Sequence, residues 1–116
     1  MLSLGSGTRV FAALGATDMR KSYDTLAEEV RRVIGEEPLS GAFFVFCNRA
    51  RNRIKVLVFE RGGYWLIARR LERGTFAWPK EKTRGPLALR AHDLMLILNG
   101  LDPSEFKRRD WFERAS

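Results

Sequence analysis

Two runs, Ala42–Cys47 (AFFVFC) and Ile54–Glu60 (IKVLVFE), are apolar at odd and even positions alike. Successive side chains of an extended chain point to opposite faces. Strands of this kind therefore need cover on both sides, and that requirement limits the folds open to the chain. Tyr64–Arg73 (YWLIARRLER) repeats the pattern, with Trp65 and Ile67 opposed to Tyr64 and Leu66. Val, Ile and aromatic residues dominate all three runs, as strands prefer.

The connections are short. Arg61–Gly63 (RGG) reads as a tight turn, and Gly74 breaks the chain before Thr75–Pro79 (TFAWP), expected as a short strand pairing back. Short links between successive strands favour an antiparallel meander. Thr8–Leu14 is apolar enough for a first strand, and Pro86–Leu89 for one more short one. One face finds its cover in a helix. Met19, Tyr23, Leu26, Ala27, Val30, Val33 and Ile34 fall on one helical stripe, with Thr17 or Asp18 as cap and Gly35 as stop. The other face calls for a second helix or another protomer. Arg90–Gly100 (RAHDLMLILNG) supplies a helix that is apolar on most sides. The expected fold class is α+β. A β-meander of about five strands packs against an amphipathic helix, with a second C-terminal helix.

The 116 residues suit a single domain, 1–116, with a core large enough to fold without staples. Within it, 80–86 reads as a mobile basic loop and 103–116 as a C-terminal tail mixing charge with Phe106, Trp111 and Phe112. No apolar stretch approaches the roughly 20 residues of a membrane span. The N-terminus lacks the order of a signal peptide. One cysteine, Cys47, allows no internal disulfide and fits a reducing compartment. A cytoplasmic setting is the expectation, with no membrane partner.

Charge points to the partner. Lys and Arg number 21 against 14 Asp and Glu, a net charge of +7. A domain this basic suggests a polyanion. Arg49, Arg51, Arg53 and Lys55 recur at every second place around the first hairpin, and Arg69, Arg70 and Arg73 lie late in the third strand run. A meander returns that strand towards the first hairpin tip, so these cations form one candidate nucleic-acid patch, continued by Lys80, Lys82 and Arg84. Lys and Arg placement of this kind is all that phosphate contact requires. Tyr64, Phe76 or Trp78 near the patch are candidates for stacking on a base, although Trp78 reads better as core. A second candidate is TDMRKS. Arg20 and Lys21 fall in the expected first turn of the helix, where cations oppose the dipole. With Ser22 they could instead serve an anion there.

Chemistry is harder to find. The chain has no nucleophile elbow, P-loop, dinucleotide fingerprint or zinc-ligand spacing. Cys47 lies in an apolar run and reads as a buried structural thiol. His92, the single histidine, reads as an ordinary helix-start residue. Glu60, Glu72 and Asp93 carry no spacing that joins them. No catalytic set, cofactor or metal is expected.

Three stretches together carry a family resemblance: TDMRKS (Thr17–Ser22), RIKVL (Arg53–Leu57) and RLERGTFAWP (Arg70–Pro79). Gly7–Val30 and Leu39–Pro79 resemble the TnpB-type accessory protein, from the second reading frame, of the insertion sequence 66 family of bacterial transposons. The resemblance implies a non-catalytic helper in DNA transposition, working beside a separate transposase and other accessory proteins of the element. Two modes of help follow. One is contact with DNA backbone, at transposon ends or non-specifically, through the basic residues above. The other is a protein-interaction module that bridges the transposase and the other accessory proteins, or pairs as a homodimer, using the doubly apolar sheet and Trp111 and Phe112. A small nuclease-like enzyme is the weakest alternative.

Overall fold

A computed structural model describes residues 2, 4–5, 7–78 and 87–99. The doubly apolar runs form adjacent strands at the centre of a five-stranded sheet. The elements are β1 (Val10–Ala12), α1 (Tyr23–Glu29), β2 (Phe43–Cys47), β3 (Arg53–Glu60), β4 (Gly63–Arg70), β5 (Leu87–Leu89) and α2 (Ala91–Leu98). The sheet order is β4-β3-β2-β1-β5. The α+β class and the covered, mostly antiparallel sheet are as expected. Two details differ. β1 pairs with β2 in parallel, Val10 opposite Phe43, so only β2, β3 and β4 form a meander. Thr75–Trp78 is not a strand. It crosses the end of the sheet and buries Phe76 in the core. The fifth strand is β5, antiparallel to β1 on its other side.

Each face of the sheet has its own core, as the alternation requires. Phe44, Phe46 and Leu57 pack under Leu26, Ala27, Val30 and Ile34 of the first helical segment. Phe43, Val45, Cys47, Ile54, Val56 and Val58 pack with Phe76 and with Leu94 and Ile97 of α2. Phe11 stacks on Phe44, ring centroids 5.9 Å apart.

The first helix begins later than the stripe suggests. Ser22 is its N-cap, and the Ser22 N–H donates to Thr25 Oγ1 at 2.8 Å. Past Glu29 the chain widens into a π turn, Val30–Ile34, and stops at Gly35, whose φ of 80° is left-handed. That conformation costs a glycine little and other residues more. Tyr23 and Val33 sit at the margins of the stripe, 46% and 44% exposed. In α2, the buried Asp93 carboxylate accepts from the Arg90 N–H (3.3 Å), closing the first turn. His92 is exposed in that turn, as an ordinary helix-start residue should be.

Candidate nucleic-acid interface

The turn between β2 and β3 is built around Asn48. Its Oδ1 accepts from the backbone N–H groups of Asn52 and Arg53, at 3.0 Å each, and its Nδ2 donates to Asn52 Oδ1 at 2.8 Å. Arg51 takes a left-handed φ of 60°, uncommon for a residue with a side chain. The segment after β4 then folds over this turn. The Leu71 N–H donates to Asn52 O (2.8 Å) and the Phe76 N–H to Arg51 O (2.6 Å). Across β3 and β4, Arg53 faces Arg70 and Ile54 faces Arg69. The approach to α1 is tied to the same end of the sheet. The Thr17 N–H donates to Cys47 O (2.8 Å), and Lys55 Nζ donates to Met19 O and Lys21 O, 2.7 Å each. One end of the sheet therefore gathers Arg20, Lys21, Arg49, Arg51, Arg53, Lys55, Arg69, Arg70 and Arg73.

Their side chains are not equivalent. Lys55 is half-buried, and its two carbonyl acceptors make it a structural tie between β3 and the segment before α1. Arg51 donates to Asn48 O (3.3 Å), and its guanidinium lies 5.7 Å from the centre of the Trp78 ring. Arg69 donates to Leu98 O at the end of α2. Arg70 pairs with Glu72 (2.9 Å) and Lys21 with Glu29 (3.5 Å). Arg49, Arg53 and Arg73 are exposed and make no ion pair with a described residue. Arg53 and Arg70 line an open groove of about 440 Å³ with Met19, Lys55, Ala68 and Glu72.

The helix start differs from expectation. Arg20 and Lys21 precede the N-cap, so they lie outside the first turn. They sit in a tight turn closed by the Lys21 N–H on Asp18 O (3.1 Å). The Arg20 guanidinium grips Asp18 as a fork, at 2.7 and 3.1 Å. Those hydrogen bonds hold the Asp18 carboxyl down to about 2. The anion site expected at TDMRKS is thus occupied by a carboxylate of the chain itself, and Ser22 serves as the N-cap of α1.

The aromatic candidates fare no better as stacking platforms. Tyr64 lies at the far end of β4, edge-on to Phe59. Phe76 is buried. Trp78 is half-buried under Arg51, and its Nε1 donates to Leu14 O (3.2 Å). Lys80, Lys82, Arg84, Trp111 and Phe112 lie outside the described residues. In the sequence Asn48 and Asn52 mark a turn at the polar hairpin tip, but not the hydrogen bonds by which Asn48 holds it. The sequence reading also missed Glu72 and Asp18 as partners that occupy two of the cations.

The carboxylates do not converge. Glu60 accepts from Trp65 Nε1 (2.9 Å), Glu72 is with Arg70, and Asp93 is buried at the start of α2. Among the described residues, no group of three or more His, Cys, Asp or Glu side chains could hold a metal ion. Burial pushes the Cys47 thiol up, away from the thiolate a nucleophile needs. No helix among the described residues is long and apolar enough to cross a membrane.

Comparison with known proteins gives one family. The family model described as IS66 Orf2 like protein matches residues 8–108. Two proteins of Sinorhizobium fredii (strain NBRC 101917 / NGR234) are similar over most of their length. "Uncharacterized protein y4hO" is 38% identical over 102 residues, 88% of each chain. "Uncharacterized protein y4jC" is 28% identical over 109 residues, 94% of this chain and 92% of its own. No solved structure matches.

Proposed function

The chain belongs to the IS66 Orf2-like family, accessory proteins of IS66 transposition, and from that premise we propose that it grips DNA by the backbone through the basic end of its sheet. The observation that carries this reading is the convergence of Arg49, Arg53 and Arg73, three exposed arginines with no ion pair to a described residue, on one braced turn. Arg70 and Arg20 lie beside them as weaker contributors, since each already holds a carboxylate. The contacts are to phosphate, so they position the protein without reading sequence. The protein contributes no catalytic group. It holds DNA while the transposase of the element acts on it.

Mobility-shift titration with transposon-end duplex and with a random duplex tests the reading. Affinity should be similar for the two and fall steeply with salt, with a log–log slope of about −0.9 for each phosphate neutralised. The variant with Arg49, Arg53 and Arg73 all changed to Ala should bind at least about tenfold more weakly and lose about one unit of slope for each arginine that meets a phosphate. Absence of binding at low salt, or binding indifferent to all three substitutions, would leave the bridging role between transposase and other accessory proteins as the better reading.

A further inference from the structure

The outer edge of β4 is long, and no described strand pairs with it. Its other neighbour fixes which groups face outward. The β3–β4 hairpin closes with Glu60 opposite Gly63 around Arg61 and Gly62, whose φ values are 49° and 81°. Two left-handed residues make a type I′ turn, which joins a hydrogen-bonded pair. Hydrogen-bonded pairs then alternate along β4, so Gly63, Trp65, Ile67 and Arg69 turn their backbone groups to β3. Tyr64, Leu66, Ala68 and Arg70 turn theirs outward. Natural edges are usually blunted by proline, lysine, a bulge or brevity. Between Tyr64 and Ala68 this edge has neither proline nor a charged residue.

We infer that β4 pairs antiparallel with β4 of a second copy of this chain, with Ile67 opposite Ile67 of the partner subunit. In this register all four outward-facing residues pair, Tyr64 with Arg70 of the partner subunit and Leu66 with Ala68 of the partner subunit. A two-fold axis normal to the sheet keeps each face on its own side, and the side chains then match. On the α2 face, Arg69 of the partner subunit comes opposite Trp65, which is 50% exposed and already holds the Glu60 carboxylate. On the α1 face, Arg70 of the partner subunit comes opposite Tyr64. Each basic strand end meets an aromatic end, one of them carrying a carboxylate, and like charges are kept apart. This complementarity of the strand with its own reverse selects a second copy over an unrelated strand. The inference does not depend on DNA binding.

The full chain should sediment at twice its 13.3 kDa. Ile67→Cys should cross-link to itself on mild oxidation, because a non-hydrogen-bonded pair sets its Cα atoms about 4.5 Å apart, within disulfide reach. Cys47 is fully buried and cannot substitute for it. Leu66→Cys, offset from its own copy, should not cross-link. Ala68→Pro removes only an outward N–H and should yield a monomer with an unchanged circular dichroism spectrum. A monomer with rapidly exchanging Leu66 and Ala68 amides would overturn the inference. So would a monomer with those amides protected, which would mean that another part of the chain covers the edge. A dimer that cross-links through Leu66→Cys and not Ile67→Cys would refute this register.

Discussion

Lys55 and Arg53 stand two places apart on one face of β3, yet they do different work. Lys55 Nζ satisfies two backbone carbonyls at 2.7 Å, while Arg53 reaches solvent at the groove. Hydrogen bonds to a charged group contribute about 1.5–3 kcal/mol, and removing one partner leaves half-buried acceptors unmet. Lys55→Met should therefore lower stability in urea unfolding by about 2 kcal/mol. Arg53→Gln should change it by less than about 0.5 kcal/mol and act on DNA affinity instead. Asp18 offers a pH test. Its folded-state carboxyl is depressed from 3.8 to about 2 by Arg20. The stabilisation it lends the 17–21 turn is present above pH 3.8 and lost as pH falls towards 2. A carboxyl-resolved NMR titration should place the midpoint near 2, and Arg20→Ala should return it towards 3.8. Neither role was legible beforehand. Strict alternation of Arg49, Arg51, Arg53 and Lys55 suggested one comb, whereas only tertiary neighbours decide which cations are already engaged.

At the scale of elements, the β2–β3 turn is the piece on which the proposed site depends. The Asn48 side chain makes three hydrogen bonds there, and in two of them its Oδ1 accepts from the backbone N–H groups of Asn52 and Arg53. Asn48→Ala should cost about 1–3 kcal/mol and weaken DNA binding several-fold by loosening Arg49, although it touches no phosphate. Hydrogen exchange at Asn52 and Arg53, beside a mobility shift, checks both halves. The doubly apolar strands, the RGG turn, the Gly35 stop and the second helix could all be read from pattern, because period and turn chemistry are local. The start of α1 could not. Met19 continues the apolar stripe, but the cap is set by Ser22 and Thr25, and Lys55 holds the preceding segment out of the helix. Thr75–Trp78 also misled. Alternating Phe76 and Trp78 resemble a strand, but here they plug the end of one core and stack beneath Arg51.

For the whole molecule, the demand for cover on both faces was the most informative feature of the sequence, and the two cores meet it. What periodicity could not give was the order of strands. β1 has only three residues, and its neighbours, β2 and β5, lie far along the chain. That placement has a consequence for synthesis. As the polypeptide leaves the ribosome, Val10–Ala12 emerges first but waits through α1 for its first partner, and until β5 for its second. The meander of β2, β3 and β4 is complete before the sheet's other edge exists. A nascent chain arrested before Leu87 would hold β1 with one side open, and that is the stage at which a chaperone would find most to shield.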